Sequence, residues 1–232
     1  MLKTLGRQIF MVELGIKYIY IFAKTFFHPF ITLKQGYKQL SKDRQEYSNK
    51  VLNFLNIEVK VYGEVPKKNH ILYAINHRSL LDIIVMESIF SKNNKNGSWI
   101  AKQELFDAIY GKFFEYSGCI SVDLENGRGL IKFFKSIKKT LKIIPDFNIY
   151  IFPEGERFGG DGITDFQSGA AKIAKSNKLE VVNVHINDTL ELVLKNAPFE
   201  EKKIVEVYFD DISTHENLEE NYINFMNKVR NG

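Results

Sequence analysis

From residue 57 onward, the chain alternates between short apolar runs and longer amphipathic segments. The short runs are rich in β-branched and aromatic residues, which favour strands. They cover residues 57–63, 71–75, 119–122, 149–152, 181–186 and 204–209. The segments 80–90, 129–144 and 216–230 carry their apolar residues at helical spacing. This alternation predicts an α/β fold with a mixed, largely parallel sheet flanked by helices.

The composition limits the kinds of site that the chain can build. Hydrophobic residues make up 44% of the 232 residues, which is enough for one buried core. Cys119 is the sole cysteine, so an intrachain disulfide, a zinc ribbon and a CxxC redox site are excluded. Cys119 itself is predicted to lie in the core. The sequence has no nucleic-acid-binding motif, and we predict neither a nucleic acid nor a metal as a partner.

The amino-terminal segment is basic and rich in aromatic residues. Residues 1–50 contain nine Lys or Arg and three Asp or Glu, whereas the rest of the chain contains 23 basic and 25 acidic residues. Glu13, Lys17 and Lys24 interrupt the apolar stretch over residues 8–33, and a bilayer-spanning helix needs about 20 predominantly apolar residues. A basic, aromatic segment of this kind favours contact with an anionic membrane surface.

We therefore predict two amino-terminal helices. The first lies in the membrane interface and breaks near Pro29, and the second is a polar helix over residues 33–55. This divides the chain into a membrane-surface element, 1–56, and an α/β domain, 57–232. The alternative is that both helices are amphipathic helices packed on their own domain.

The segment HILYAINHRSLLD (70–82) predicts a strand, a polar turn and the start of a helix. His77 would follow the carboxyl end of the strand, where open α/β sheets place their ligand crevices. Asp82 would lie in the first helical turn, close enough to orient the imidazole and stabilise its protonated form. The alternative is structural, since Ser79 and Asp82 also have the spacing of a helix-capping pair.

A second polar turn, FPEGER (152–157), also follows an apolar strand. Pro153 and Gly155 favour a tight turn, Glu154 offers an acceptor, and Arg157 offers a planar donor that suits a phosphate. The same residues could form a turn without function. Their conjunction with the His77 segment favours a binding site at the carboxyl edge of the sheet.

In these segments the sequence resembles the bacterial lysophosphatidic acid acyltransferases, the PlsC-type branch of the glycerolipid acyltransferase family. The motifs are NHRSLLD (76–82), AKQEL (101–105), GCISVD (118–123), FPEGERF (152–158), DGITDFQSGAAKIA (161–174) and VVNV (181–184). They occur in the family's order and cover roughly residues 57–190. The resemblance also implies an amino-terminal two-helix element that seats the enzyme on one leaflet.

The resemblance implies transfer of a fatty acyl chain from an acyl-CoA or acyl carrier protein thioester to the sn-2 hydroxyl of 1-acylglycerol-3-phosphate, giving phosphatidic acid. It implies His77 as general base and Asp82 as its partner, with no acyl-enzyme intermediate, metal or permanently bound cofactor. It places the enzyme on the cytoplasmic face of the inner membrane. The substrate-binding residues implied are Asn76, Arg78, Ser79, Lys102, Arg128, Glu154, Gly155 and Arg157.

Three residues depart from the family pattern. Leu124 stands where Arg is usual, so that one phosphate contact is missing or is supplied by Arg128; Glu156 replaces Thr or Ser, and Asn183 replaces a frequent proline. The first two departures leave room for another lysolipid or an acylated amino-acid lipid as acceptor. A non-catalytic lipid-binding protein and a hydrolase that acts on bound water are further alternatives.

The predicted helix 129–144 has one basic side. Its lysines are Lys132, Lys135, Lys138, Lys139 and Lys142. The simplest interpretation is a solvated face. The alternatives are a docking site for an acidic acyl carrier protein or for lipid headgroups.

Overall fold

A computed structural model of the protein describes residues 8–9, 12–20, 32–108, 111–123, 127–160 and 162–231. Its strands are β1 (Ile57–Tyr62), β2 (Ile71–Ile75), β3 (Asn96–Lys102), β4 (Ile120–Val122), β5 (Phe147–Ile151), β6 (Glu180–Ile186) and β7 (Lys203–Phe209). Its longer helices are α1 (Leu33–Leu55), α2 (Leu81–Lys92), α5 (Gly127–Ile143), α6 (Gly169–Asn177), α7 (Leu190–Asn196) and α8 (Leu218–Asn231), with the short α3 (Gln103–Asp107) and α4 (Gly111–Tyr116) between α2 and α5.

The strands form one seven-stranded sheet in the order β1-β7-β6-β2-β5-β3-β4. Neighbouring strands run parallel except β6 and β7. The predicted mixed, largely parallel sheet flanked by helices is therefore confirmed. Because β2 and β5 are adjacent and parallel, their carboxyl ends bring the two predicted polar turns to one edge of the sheet.

The core has two layers, one on each face of the sheet. Along β2, Tyr73 and Ile75 pack in the layer covered by α2, and the alternate Leu72 and Ala74 pack in the layer covered by α5 and α6. This is the alternation that a strand buried on both faces imposes. All four side chains are fully buried, so β2 is a rigid base for the turn that follows it.

Strand β3 was not predicted, because its first residues, Asn96, Gly97 and Ser98, are typical of a turn. In the structure these residues are buried and their polar groups are satisfied: the carbonyl of Asn96 accepts from the side chain of Asn148 (2.9 Å), and the Ser98 hydroxyl donates to the carbonyl of Gly118. A Cβ at Gly97 would lie 2.5 Å from the carbonyl oxygen of Asn148, so the close approach of β5 requires glycine. Helices α6 and α7 were also missed.

Helix α1 has the predicted bounds. Thr32 caps it through a reciprocal capping box with Gln35, and Asn56 ends it in the left-handed conformation. Several of its apolar residues are buried in the core, as the alternative of a helix packed on its own domain predicts. The ion pair that it forms was not predicted: the Arg44 guanidinium is buried and lies 2.8 Å from Glu87 on α2. The division of the chain at residue 56 stays a prediction.

Residues 12–20 are helical, and the predicted break near Pro29 lies outside the described residues. Leu14 is buried in the α2 layer of the core, whereas Val12, Ile16, Ile19 and Tyr20 are exposed. Within the part of the chain that the structure describes, no helix has the length and apolar character needed to cross a membrane.

Candidate active site

His77 and Asp82 are in contact at the carboxyl edge of the sheet. His77 Nδ1 lies 2.8 Å from Asp82 Oδ2, as the sequence predicts. The same carboxylate oxygen accepts the backbone N–H groups of Arg78 (2.6 Å) and Ser79 (2.8 Å). Because this oxygen is an acceptor, the ring carries its hydrogen on Nδ1 and leaves Nε2 as an acceptor. Nε2 has no hydrogen-bond partner among the described residues.

The capping interpretation of this segment holds in part, because Leu80 stands at the N-cap of α2 and the Ser79 hydroxyl does not accept the N–H of Asp82. The Ser79 hydroxyl accepts the backbone N–H of Leu81 (3.0 Å), and Asp82 accepts the N–H of Ser79. The start of α2 and the orientation of the imidazole therefore depend on one carboxylate. The Asp82 side chain is fully buried, whereas that of His77 is 14% exposed.

The plane of the imidazole is set by an aromatic stack. His77 stacks on Phe152 with ring centres 3.8 Å apart, and Phe152 stacks on Trp99 at 5.0 Å. The indole N–H of Trp99 donates to Glu87 Oε1 at 2.8 Å. Neither Phe152 nor Trp99 was predicted as a site residue. Phe152 opens the FPEGER motif, which is the one signal in the sequence that could have identified it.

Glu154 holds two loops together from inside the protein. Its Oε1 accepts the backbone N–H of His77 (2.7 Å), and its Oε2 accepts that of Thr164 (3.0 Å). Burial raises the pKa of the Glu154 carboxyl. The carboxylate therefore positions the His77 loop, and its predicted contact with the substrate stays a prediction.

Three further predicted binding residues make contacts within the fold. The side chain of Asn76 donates to the carbonyl of Ile186 (3.0 Å) and accepts its N–H (2.8 Å). The Arg78 guanidinium donates to backbone carbonyls of the 158–162 loop, including that of Gly162 (2.6 Å). Asn76, Arg78 and Ser79 are all buried, so they position the site, and their contact with a substrate stays a prediction.

Two cationic side chains lie beside the FPEGER turn. Arg157 and Lys102 are exposed, and neither has a partner among the described residues. Gly155 forms the turn at a φ of 75°, and Lys102 Cε lies 3.9 Å from the point that a Cβ at Gly155 would occupy. The structure therefore brings Lys102 to the predicted binding loop, although the two motifs are 50 residues apart in sequence.

The remaining predicted cation, Arg128, is exposed at the start of α5 and already has an interaction within the described part of the chain. Leu124, where the family usually has the Arg whose phosphate contact Arg128 was predicted to supply, lies outside the described residues. A phosphate contact by Arg128 therefore stays a prediction.

An apolar cavity of about 190 Å³ adjoins the aromatic stack. Its wall includes Leu80, Ile83 and Trp99, together with Tyr18 of the amino-terminal helix and Phe113 of α4. An apolar cavity of about 150 Å³ is already large enough to take up benzene. Cys119 also lines the cavity and packs against the core, as predicted, and burial raises the pKa of its thiol. No group of three or more His, Cys, Asp or Glu side chains in the described ranges is arranged to hold a metal ion.

The chain is similar to known acyltransferases. A family model described as Acyltransferase matches residues 56–187. The 1-acyl-sn-glycerol-3-phosphate acyltransferase of Helicobacter pylori is 32% identical over 64% of this chain and 65% of that protein. A protein of Mycoplasma genitalium named "Probable 1-acyl-sn-glycerol-3-phosphate acyltransferase" is 27% identical over 62% of this chain and 53% of its own length. The matched part spans less than two thirds of either relative.

A solved structure has the same fold. The crystal structure of the 1-acyl-sn-glycerophosphate (LPA) acyltransferase PlsC from Thermotoga maritima aligns with a TM-score of 0.63 and covers 96% of this chain and 94% of that one. The sequence identity is 20%, so this likeness establishes the architecture of the sheet and helices.

Proposed function

Because this chain belongs to the acyltransferase family, we propose that it is an O-acyltransferase that uses 1-acylglycerol-3-phosphate as its acceptor. It would move a fatty acyl chain from a thioester to the free sn-2 hydroxyl and give phosphatidic acid. The observation that carries the proposal is the 2.8 Å contact of His77 Nδ1 with the buried Asp82, which leaves Nε2 without a partner among the described residues. The names of the relatives support the choice of acceptor.

In the proposed step, His77 Nε2 takes the proton of the acceptor hydroxyl while its oxygen attacks the thioester carbonyl. Asp82 stabilises the imidazolium that forms, as the aspartate of a Ser-His-Asp triad does. The new C–O bond forms, the C–S bond breaks, and the thiolate leaves with the proton from the imidazolium. Atoms and charge then balance without an acyl-enzyme intermediate, and Asp82 stays ionised throughout.

The two substrates would occupy different surfaces around His77. Arg157 and Lys102 would bind the phosphate of the acceptor, because both are cationic, exposed and adjacent to Gly155. The apolar cavity would take the acyl chain of the donor, since its wall includes Trp99, which is linked to His77 through Phe152. The thioester carbonyl would then lie between the cavity and the phosphate site.

We further propose that the protein works on the cytoplasmic face of the inner membrane. Exposed apolar side chains on residues 12–20 support this, notably Val12, Ile16 and Tyr20. Tyr18 of the same helix donates to the carbonyl of Phe113 and lines the cavity. A helix seated in the interface would therefore place the cavity next to the lipid acyl chains.

The experiment that tests this function is acyl transfer by the purified protein to a panel of acceptors. We expect product only with a thioester donor, and a higher kcat/KM for 1-acylglycerol-3-phosphate than for a phosphate-free analogue. Arg157→Ala should remove most of this preference, mainly by raising KM, since a charge-assisted contact is worth about 1.5–3 kcal/mol. The variant should treat the phosphate-free analogue as the wild type does.

Three results would contradict the proposal. Thioester loss without any acceptor would indicate a hydrolase. A preference for another lysolipid or an acylated amino-acid lipid would show that the acceptor is not 1-acylglycerol-3-phosphate. It would also indicate that Glu156, which is exposed beside Arg157, helps to select the acceptor. Binding to anionic vesicles without turnover of any pair of thioester donor and lysolipid acceptor would indicate a lipid-binding protein.

A further inference from the structure

Helix α5 presents a stripe of lysines to solvent. Lys132, Lys135, Lys139 and Lys142 recur every three or four residues, with Lys138 beside them, and all five side chains are exposed. Residues three and four apart lie on one side of a helix, so the stripe is continuous over about 15 Å. The helix contains no Asp or Glu in its 17 residues.

The stripe differs from three basic residues on other helices of the protein. Lys17, Lys50 and Lys112 each form an ion pair with a glutamate three or four residues away. None of the α5 lysines has an ion-pair partner among the described residues. Like charges at this spacing repel and destabilise a helix, so the arrangement disfavours the free helix and favours one covered by an acidic partner.

Apolar side chains accompany the charges. Ile131 and Ile143 are 58% and 42% exposed near the two ends of the stripe. The opposite side of α5 is fixed, because Phe133, Ile137 and Leu141 are buried in the core layer beneath it. A rigid helix that presents a row of like charges is suited to steering a partner protein of opposite charge.

The fold separates this stripe from the surface proposed to meet the membrane. Leu14 of the amino-terminal helix packs in the core layer on the α2 face of the sheet, whereas α5 packs in the layer on the other face. The amino-terminal helix and the α5 lysines therefore lie on opposite faces of the sheet. This favours a soluble acidic protein over lipid headgroups.

The stripe begins close to the active-site edge. α5 follows β4, whose carboxyl end lies at the same edge as His77 because β2, β5, β3 and β4 are successive parallel strands. Three strand spacings separate β4 from β2, a distance of about 14 Å. A partner on α5 that carries its thioester on a long flexible arm could then deliver it to His77 around the edge of the sheet.

We propose that α5 is the docking surface for the donor, an acidic acyl carrier protein, held by Lys132, Lys135, Lys138, Lys139 and Lys142. This proposal rests on the proposed function, and of the two thioester donors, acyl-CoA and acyl carrier protein, it selects the carrier protein. The charges would set the rate of encounter, and Ile131 and Ile143 would add apolar contact.

The test measures binding and turnover separately. The variant Lys135→Glu/Lys139→Glu/Lys142→Glu should bind hexadecanoyl-loaded acyl carrier protein at least about tenfold more weakly by titration calorimetry. The wild-type affinity should fall as salt is raised. Lys172→Glu/Lys175→Glu/Lys228→Glu is the matched control: it reverses three exposed lysines on α6 and α8, which pack in the same core layer, and it should bind as the wild type does.

Turnover distinguishes failure of this inference from failure of the proposed function. With hexadecanoyl-CoA, the α5 variant should retain the wild-type rate, and with the carrier-borne donor its kcat/KM should fall in proportion to its affinity. Absence of carrier binding to the wild type would overturn the inference. Equal carrier binding by the wild type and the α5 variant would also overturn it, as would an α5 variant that loses binding to anionic vesicles instead of binding to the carrier. Inactivity of the wild type with both donors would instead contradict the proposed function, while the binding data would still decide whether α5 docks the carrier.

Discussion

At the scale of single residues, the site depends on one carboxylate that performs two tasks. Asp82 Oδ2 accepts the Nδ1–H of His77 and the backbone N–H groups of Arg78 and Ser79 in the turn that leads into α2. Its Oδ1 is buried and has no hydrogen-bond partner among the described residues. The Asp82 carboxylate therefore fixes both the orientation of the imidazole and the turn that leads into α2.

We therefore expect Asp82→Asn to lower kcat by about 10⁴-fold, the loss seen when the aspartate of a Ser-His-Asp triad is replaced by asparagine. The amide can present its N–H to Nδ1, which would favour the wrong tautomer of His77. KM should change little, because Asp82 is buried and does not reach the substrate surface. Steady-state rates with a thioester donor test this, and a kcat close to that of the wild type would show that the carboxylate only caps the helix.

His77 and Asp82 could be predicted because the contact is local: the six residues from the turn after β2 to the start of α2 contain both groups. Phe152 and Trp99 could not, because their stack with His77 joins residues that lie in or just after three strands far apart in the sequence. The sequence also placed Asn76, Arg78 and Glu154 in the right region without showing that their polar groups are turned inward. Backbone partners such as Ile186 and Thr164 are visible only in the folded chain.

At the scale of elements, α1 is tied to the site through a buried ion pair. Arg44 and Glu87 have side-chain exposures of 5% and 1%, and Glu87 also accepts the indole N–H of Trp99. The bounds of α1 followed from its capping residues and helical pattern. The buried ion pair did not follow from the sequence, because Ser41 and Arg44 are polar residues that face the core, where Arg44 donates to the Ser41 hydroxyl and to the carbonyl of Gly97.

We expect Arg44→Met to destabilise the fold by about 3–5 kcal/mol, because it leaves the buried Glu87 carboxylate without its countercharge. Arg44→Met/Glu87→Gln should recover a large part of that loss, since the glutamine is neutral and can still accept from Trp99. Urea unfolding of the two variants and the wild type measures the difference. A double variant no more stable than the single one would show that the ion pair does not link α1 to α2 as described.

At the scale of the whole molecule, stability should depend on pH through His185. This residue is 2% exposed on β6, and its Nδ1 lies 3.3 Å from the hydroxyl of Tyr222 on α8. Burial, with smaller contributions from the charges of Arg230 and Arg78, lowers the pKa of His185 from 6.5 to about 4. The unfolded chain therefore binds a proton between these values that the folded chain does not.

The free energy of unfolding should accordingly rise with pH from about 4 to 6.5, by up to about 3 kcal/mol, and the histidine should contribute no further slope above that range. The pKa of the Glu154 carboxyl is raised from its ordinary value of 4.5, so this group makes the free energy of unfolding fall as the pH rises just above 4.5. His185→Gln removes only the histidine, so its unfolding free energy should depend less on pH between 4 and 6.5. An unchanged slope in this variant would contradict the assignment.

Acyl transfer also belongs to the scale of the whole molecule, because it requires the assembled site. The central claim is that the imidazole of His77 makes the acceptor hydroxyl nucleophilic. The most direct measurement is the initial rate of acyl transfer from a labelled thioester to 1-acylglycerol-3-phosphate by the wild type and by His77→Ala. We predict that the variant loses about 10²–10⁴-fold in kcat, or more, while its unfolding transition stays close to that of the wild type. A folded His77→Ala protein that transfers the acyl chain at the wild-type rate would contradict the account.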